Sequence, residues 1–263
     1  MTAEIESASR TVSSRLLAVL DTFDPGADEL TLSEISRRSG QPLPTTHRFV
    51  GELVRWGGLE RGPGGGYRIG AKLWELASRA PRTEGLRQAA VPVLHDLTAR
   101  TGRAVRLAIR DGLDALCVEV VSRGGRPGID SGPGRRLPLH ATAVGKVLLA
   151  HGDPALLAAA LRPAPRRYTP YTLPPGLLTR ALARIRAGEV AWAHEEHGLG
   201  EFELAVPVLQ PADGLAALGM LCGPREAARL RAPELLRAAA AELAEVLACV
   251  ARERPERVTV SVR

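Results

Sequence analysis

The sequence contains few cysteines and few aromatic residues. Cys117, Cys222 and Cys249 are the 3 cysteines among 263 residues, and Phe, Trp and Tyr together make up 3%. The cysteines are widely separated, odd in number and without C-x-x-C spacing, which argues against a disulfide framework and a structural zinc site. We interpret all three as ordinary buried thiols.

Long apolar runs are also missing, and we do not expect the first residues to act as a secretory leader. No uninterrupted apolar stretch approaches the ~18 residues that a membrane span needs. The first ten residues, MTAEIESASR, carry two glutamates and no apolar core segment, unlike a secretory signal. With 45% hydrophobic and 24% charged residues, the composition is that of a globular protein with one large domain or two unequal ones. We therefore expect a cytoplasmic protein with no membrane partner.

Lysine is scarce, although the chain is basic. Only two of the 35 basic residues, Lys72 and Lys146, are lysine, and the formal net charge is +6. The distribution of charge is more informative than its sum. Residues 1–30 hold two basic and six acidic groups, whereas residues 31–72 hold seven basic and three acidic groups. A positive field confined to a short N-terminal segment indicates a contact with nucleic acid there.

That basic segment predicts two short helices joined by a glycine turn. Thr31, followed three residues later by Glu34, is a capping box that begins the first helix, and Gly40 ends it. Pro44 suits the first position of the second helix, because its missing N–H would have no partner there. The stretch LERGPGGGYRI then predicts a hairpin around a glycine-rich turn, with Arg61 and Arg68 at its tip.

Two such helices followed by a basic hairpin form a winged helix-turn-helix, which places its second helix in the major groove of DNA. Arg48 can make two hydrogen bonds to guanine, and Thr45 and Thr46 can reach a phosphate or a thymine methyl group. The alternative is a structural three-helix domain with a solvated basic face. The predicted DNA-binding residues are Thr31, Ser33, Gln41, Pro44, Thr45, Thr46, His47, Arg48, Arg61, Tyr67 and Arg68.

The longer remainder predicts an α+β domain built on an antiparallel sheet. A candidate boundary lies at residues 78–85, where Pro81 and Gly85 interrupt a helical pattern. A helix is predicted from Leu86, followed by a hairpin of two strands that turns at Asp111 and Gly112. Further strands, FELAVPVLQ and LAALGMLCG, alternate with helical segments such as ATAVGKVLLAHG, which favours segregated helices on a sheet.

The chain resembles the IclR family of bacterial transcription regulators. The motifs LSEISRRSGQPLPTTHR, GGGYRIGAKLWELA, GRRLPLHATAVGKVLLA and CGP carry the resemblance in this order, over nearly the whole length. It implies a winged-helix DNA-binding domain at 1–70, a linker helix at 71–84, and a GAF-like domain at 85–253 that binds a small-molecule effector and oligomerises. It also implies a homodimer or homotetramer that represses or activates transcription, and we expect a palindromic operator. Residues 254–263 are predicted to be a flexible tail.

In this family the ligand lies between the sheet and the LHATAVGK motif. Thr142 is a predicted N-cap, so free backbone N–H groups at the following helix start can hold a carboxylate. The small residues there are equally suited to close packing of helix on sheet. The effector-binding residues implied are Leu139, Ala141, Thr142, Ala143, Val144, Ala193, His194, Glu203, Met220 and Cys222.

Several of these positions differ from the family pattern. Ala193 or His194 stands where relatives often carry aspartate, Glu203 where many have cysteine, and Met220 and Cys222 where two serines are common. We therefore expect a larger, partly apolar or basic effector rather than a small acid such as glyoxylate or pyruvate. A large domain that only oligomerises, without sensing an effector, stays an alternative.

The stretch AHEEHG, residues 193–198, raises the question of a metal-dependent enzyme. Its histidines are three residues apart, not four as in the H-E-x-x-H motif, and Gly198 follows. A loop site for zinc or nickel through His194, Glu195 and His197 is the alternative, but no further strong ligand can be identified. The chain also has no G-x-S-x-G motif. We predict no cofactor, no metal and no enzymatic activity.

Overall fold

The computed structural model describes residues 11–23, 29–78, 81–123, 132–210 and 214–253. The chain divides into two compact units, residues 1–84 and residues 85–263. The predicted flexible tail at 254–263 lies outside the described residues. None of the described helices combines the length and the apolar character that crossing a membrane requires.

The N-terminal unit is a small helical domain with a two-stranded hairpin. Its elements are α1 (Val12–Leu20), α2 (Leu32–Ser39), α3 (Leu43–Trp56), β1 (Leu59–Arg61), β2 (Tyr67–Ile69) and α4 (Ala71–Ala77). The three helices α1 to α3 and the hairpin enclose a core that includes Val19, Leu30, Ile35, Phe49, Val50, Leu53, Leu59 and Tyr67. The helix-turn-helix and its hairpin therefore have the predicted order.

Local sequence signals explain the ends of α2 and α3. The Thr31 hydroxyl accepts a hydrogen bond from the Glu34 N–H, and the Glu34 carboxylate accepts one from the Thr31 N–H, which is the predicted capping box. Gly40 ends α2 with a φ of 64°, a conformation that favours glycine. Helix α3 begins one residue earlier than predicted, so Pro44 occupies its second position and Pro42 is its N-cap.

The glycine-rich turn of the hairpin packs against Glu29. The Glu29 carboxylate accepts hydrogen bonds from the N–H groups of Gly64 and Gly66, both at 3.3 Å. A Cβ atom on Gly62 would lie 2.0 Å from Oε1 of Glu29, so a side chain there would displace the Glu29 carboxylate from this turn. Leu30 pairs with Tyr67 beside the hairpin, with both backbone hydrogen bonds at 2.8 Å.

The C-terminal unit combines helices with a six-stranded antiparallel sheet. Its helices are α5 (Pro81–Thr101), α6 (Ala143–Ala150), α7 (Pro154–Leu161), α8 (Pro175–Arg186), α9 (Pro224–Leu230) and α10 (Ala232–Glu253). Its strands are β3 (Ala104–Asp111), β4 (Asp114–Val121), β5 (Arg136–Pro138), β6 (Ala191–His194), β7 (Phe202–Gln210) and β8 (Gly214–Leu221). Helix α5 begins at Pro81, five residues before the predicted start, because proline suits a first helical position.

The sheet has the strand order β5-β4-β3-β8-β7-β6 and a core on each face. Helices α5, α9 and α10 cover one face, together with apolar side chains that include Leu107, Met220 and Cys222. Helices α6, α7 and α8 cover the other face, with a second set that includes Ala193 and Ala217. Because side chains alternate along a strand, neighbouring buried positions of β6, β7 and β8 face opposite cores, as Ala217 and Leu218 do in β8.

Candidate functional site

Helix α3 presents a polar face to solvent in the N-terminal unit. His47 and Arg48 are exposed, Pro44 is exposed in the first turn, and Thr45 is half-buried. The Arg48 guanidinium carbon lies 5.2 Å from the centroid of the Phe49 ring, which orients the side chain at the helix surface. This end of the second helix is the part that contacts base edges in helix-turn-helix proteins.

The hairpin carries two exposed arginines, each held by a neighbour. The guanidinium of Arg68 forms an ion pair with Glu60 on the facing strand, with Nε and Oε1 2.7 Å apart. Arg61 lies over the Tyr67 ring, with its guanidinium carbon 4.5 Å from the ring centroid. Both side chains are at the surface, where a wing contacts DNA.

Three of the predicted DNA-binding residues are buried, which corrects their assignment. The Thr46 side chain is fully buried and its hydroxyl donates to the carbonyl of Pro42 at 3.2 Å. Gln41 is 8% exposed and donates through Nε2 to the carbonyl of Arg15 at 2.7 Å. Tyr67 is 6% exposed and belongs to the core of the unit. These side chains position the helices and the hairpin and do not form the exposed face.

Two predicted residues at the start of α2 are exposed. The Ser33 side chain lies at the surface of the first helical turn. Thr31 is also exposed, but its hydroxyl donates to Oε2 of Glu34 at 2.8 Å and accepts the N–H of Glu34. Thr31 therefore has a structural role in the capping box.

The C-terminal unit contains a narrow polar cavity between the N-terminus of α6 and the sheet. The free space that a water-sized molecule can occupy in it is about 20 Å³. Among the predicted effector residues, Ala141, Thr142, Ala193 and Glu203 line it. The lining also includes Arg106, Leu137, Glu196, His197, Glu201, Phe202 and Leu221, which are not among the predicted effector-binding residues.

A buried ion pair crosses the floor of this cavity. Nε of Arg106 lies 2.6 Å from Oε1 of Glu203, and the two side chains are 7% and 5% exposed. The pair joins β3 to β7 across β8, the strand between them. It passes over Gly219, where a Cβ atom would lie 2.7 Å from Oε1 of Glu203. A glycine in the middle of β8 therefore makes room for the carboxylate.

The second oxygen of Glu203 binds the start of α6. Oε2 accepts a hydrogen bond from the backbone N–H of Ala143 at 2.8 Å. Thr142 is the N-cap, as predicted, and its hydroxyl accepts the N–H of Gly145 at 3.1 Å. The free N–H at this helix start thus binds a carboxylate of the chain itself.

A second buried ion pair lies on the wall of the cavity. Nζ of Lys146 is 2.5 Å from Oε1 of Glu196, with side-chain exposures of 1% and 5%. The same ammonium donates to the carbonyl of Trp192 at 2.7 Å. Burial lowers the pKa of Lys146, and the neighbouring Glu196 carboxylate opposes that shift.

The AHEEHG stretch forms the end of β6 and the loop that follows it. Glu195 has a φ of 52°, and Thr172 donates from its hydroxyl to the carbonyl of Glu196 at 2.6 Å. The His197 ring centroid lies 5.0 Å from that of Tyr168. In the described part of the chain, no three His, Cys, Asp or Glu side chains form a group that could hold a metal ion.

Three predicted effector residues lie on the opposite face of the sheet, which corrects their assignment. Met220 and Cys222 belong to the core under α5 and α10. His194 is exposed and its ring lies against Trp192, with 5.2 Å between the centroids. Leu221, which lies between Met220 and Cys222, faces the cavity instead. Ala193, which precedes His194 in β6, also faces the cavity.

The remaining predicted residues pack behind the cavity. Leu139, Ala143 and Val144 are fully buried in the core on the α6 side of the sheet. Their side chains fill space between helix and sheet, which is the packing role considered as the alternative. Ala143 is the exception because its backbone N–H reaches Glu203.

The cysteines are not reactive nucleophiles in this cavity. Burial raises the pKa of Cys117 to about 12 and that of Cys222 to about 11, so both thiols are protonated at neutral pH. Cys249 is exposed, which corrects the interpretation that all three are buried.

A helix-turn-helix with an exposed basic face and a separate α+β unit with a small cavity beside buried charges are typical of a DNA-binding regulator with a ligand-binding domain. The family model "IclR helix-turn-helix domain" matches residues 13–63. The model "Bacterial transcriptional regulator IclR C-terminal" matches residues 80–246. The chain belongs to the IclR family of transcriptional regulators, which confirms the resemblance and the α+β fold class.

Curated relatives support the same conclusion. The HTH-type transcriptional regulator XynR of Escherichia coli (strain K12) is 36% identical over 200 residues, covering 74% of this chain and 78% of the relative. BhcR of Paracoccus denitrificans is 32% identical over 213 residues, covering 80% and 76%. These names indicate transcriptional regulators and not enzymes.

A solved structure extends the similarity to the whole fold. The crystal structure of an IclR homolog complexed with 4-hydroxybenzoate, from Microbacterium hydrocarbonoxydans, matches with a TM-score of 0.82 and 32% sequence identity. The match covers 91% of this chain and 100% of that chain.

Proposed function

We propose that this regulator is a repressor that binds a palindromic operator as a homodimer or homotetramer, and that a small-molecule effector modulates its operator affinity. In this proposal residues 1–70 bind DNA, residues 71–84 form the linker, and residues 85–253 form a GAF-like unit that binds the effector and oligomerises. The protein acts in the cytoplasm and is not an enzyme.

The exposed side chains of α3 carry the DNA-binding part of the proposal. Arg48 reads a base through its planar guanidinium, because two parallel hydrogen bonds to guanine discriminate among base pairs. Residues beside it contact the phosphate backbone, as do the hairpin arginines. These phosphate contacts are assigned to Ser33, Thr45, His47, Arg61 and Arg68. Pro44 has no N–H to donate, so its contact with DNA is apolar.

The cavity beside α6 carries the effector-binding part. It is enclosed by buried polar groups, and buried polar groups around a cavity give a ligand its orientation. The residues assigned to the ligand are Arg106, Ala141, Thr142, Ala193, Glu196 and Glu203.

The decisive experiment measures sequence-specific DNA binding. DNA that binds the purified full chain is selected from a random pool, and affinities for selected and random duplexes are compared over a salt series. We expect the selected sequences to have two-fold symmetry and to bind at least about a thousandfold more tightly than random DNA. Equal affinity for selected and random duplexes would refute sequence-specific DNA binding.

A second candidate is a regulator whose large domain only oligomerises. The observation in its favour is that both oxygens of the Glu203 carboxylate already have partners within the chain, Arg106 and the Ala143 N–H. Thermal-shift screening separates the two candidates. A ligand at a hundredfold excess over its Kd stabilises its binder by about 2.7 kcal/mol, whereas a non-sensing domain gives no shift with any effector class.

A further inference from the structure

The carboxylate of Glu203 occupies the position that a bound carboxylate ligand would take. One oxygen accepts the Arg106 guanidinium at 2.6 Å, and the other accepts the first free N–H of α6 at 2.8 Å. A guanidinium and a helix N-terminus are the two groups that proteins use most readily to hold a carboxylate. Both side chains are at least nine-tenths buried, so the arrangement is enclosed.

We propose that Glu203 is a tethered carboxylate that fills the anion-binding position of the cavity, and that the cavity therefore takes a ligand with a positively charged amine and rejects carboxylates. The proposal rests on the proposed function, because it names the chemical class of the effector. It makes this chain's ligand opposite in charge to 4-hydroxybenzoate, which is bound by the homolog from Microbacterium hydrocarbonoxydans.

The sheet is shaped to accept this internal carboxylate. Gly219 pairs with Arg106 on one side and with Ala205 on the other, so it lies directly beneath the ion pair. Its missing side chain provides the space, since a Cβ atom there would lie 2.7 Å from both Oε1 of Glu203 and Cγ1 of Val144. A carboxylate ligand would have to displace Glu203 from two charge-assisted hydrogen bonds, and would face a like charge.

A second, independent observation points to a donor ligand. Glu196 lines the cavity and is 5% exposed, yet among the described residues its Oε2 atom has no hydrogen-bond partner. A buried carboxylate oxygen that accepts no hydrogen bond lowers the stability of the folded protein. An ammonium group in the cavity would satisfy this oxygen.

The charge balance of the cavity favours the same ligand. Its described lining carries the carboxylates of Glu196 and Glu203 and the guanidinium of Arg106, and also Glu201, which is partly exposed and lies 3.6 Å from Nδ1 of His197. Lys146 adds one positive charge behind Glu196. A carboxylate ligand would add a further negative charge beside these carboxylates, whereas an ammonium group would be attracted to them.

A matched pair of probes tests the charge preference on the unaltered full chain. 4-Hydroxybenzoate and 4-hydroxybenzylamine have the same ring and hydroxyl group and differ in the charged substituent. Binding is measured by calorimetric titration and by the thermal midpoint, without DNA. We expect the amine to bind at least about tenfold more tightly than the benzoate, since one charged hydrogen bond separates them. Equal affinity, tighter benzoate binding, or no binding of the amine would overturn the proposal.

Variants of Glu203 test the tethered carboxylate itself. Glu203→Ala vacates the anion position, and we expect the affinity for 4-hydroxybenzoate to rise at least about tenfold. Glu203→Gln removes the charge but keeps the volume, so it should gain no benzoate binding. Glu245→Ala, at an exposed position of α10, controls for the change in net charge. A Glu203→Ala protein that folds without gaining benzoate affinity would contradict the proposal, and if it does not fold, the wild-type comparison decides.

These outcomes are separable from the proposed regulatory function. Amine binding without any change in operator affinity supports the charge preference and refutes effector control. Benzoate binding that releases the operator from the wild-type chain supports effector control and refutes the tethered carboxylate.

Discussion

Nζ of Lys146 lies 2.5 Å from Oε1 of Glu196, and neither side chain is more than 5% exposed. The pair connects α6 to the loop after β6, fifty residues later in the chain. Burial lowers the pKa of Lys146, which means that the charged ammonium is destabilised by the protein interior. The Glu196 carboxylate offsets that cost, so each charge depends on the other.

We expect removal of either charge to destabilise the C-terminal unit. Lys146→Met leaves the Glu196 carboxylate buried without its ammonium, and Glu196→Gln leaves the ammonium without its carboxylate. Each change should lower the free energy of unfolding by about 3–5 kcal/mol, the range for breaking a buried pair from one side. Denaturant unfolding, followed through Trp192 next to the pair, measures the loss.

A surface pair provides the matched control. Arg55 and Glu52 form an ion pair on α3 with side-chain exposures of 71% and 51%. Arg55→Ala and Glu52→Ala should each change stability by less than about 1 kcal/mol. If Lys146→Met lowers the free energy of unfolding by no more than Arg55→Ala does, the buried pair does not stabilise the C-terminal unit.

A second prediction concerns base reading by Arg48. Arg48→Ala should reduce the discrimination between operator and random DNA by about 1–3 kcal/mol, because a bidentate contact to guanine is lost. Arg55→Ala, in the last turn of the same helix, is the control and should leave discrimination unchanged. Fluorescence anisotropy with both duplexes measures the effect. An equal loss of affinity for both sequences would make Arg48 a phosphate contact.

The DNA-binding unit could be predicted because its signals are local. The capping box of Thr31 and Glu34 and the turn at Gly40 are separated by a few residues and determine their own hydrogen bonds. The prediction that Thr46 contacts DNA was wrong because the position of a threonine near a helix start allows two interpretations. A threonine near a helix start reaches either DNA or the preceding turn, and here it donates to the carbonyl of Pro42.

The cavity was predicted less completely because its contacts are distant in sequence. Arg106 and Glu203 are 97 positions apart and meet only after β3, β8 and β7 pair. The prediction that Met220 lines the effector cavity was wrong for a different reason. A shift of one residue along a strand moves a side chain to the other face of the sheet, and Met220 lies on the face opposite the cavity. Gly219, a glycine inside an apolar strand, was the available signal, because glycine there marks a close approach by another group.

A third prediction separates the structural threonine of α3 from its exposed neighbour. Thr46→Val removes a hydroxyl that is buried and hydrogen-bonded, so the free energy of unfolding should fall by about 1 kcal/mol while the folded protein keeps its operator affinity. Thr45→Val, at a half-buried position, should weaken operator binding with little change in stability. Thermal unfolding and anisotropy are measured on both variants. The reverse pattern would place Thr46 in the DNA contact after all.

The capping box of α2 should make the opening of that helix dependent on pH. Hydrogen bonds from the Thr31 N–H and hydroxyl hold the pKa of Glu34 below its ordinary value of 4.5. The folded state therefore favours the ionised carboxylate, and its contribution to stability is present above pH 4.5 and lost as pH falls through the lowered pKa.

Hydrogen exchange followed by mass spectrometry on the full chain measures this opening in peptides that cover α2. We expect exchange, corrected for its intrinsic pH dependence, to increase in the wild type as pH falls from 5 to 3. Glu34→Gln keeps an acceptor but cannot titrate, so its corrected exchange should not change over the same range. Thr31→Ala should increase opening about fivefold at pH 7, because loss of an N-cap costs about 1 kcal/mol. Parallel pH curves for wild type and Glu34→Gln would show that this carboxylate does not control the helix.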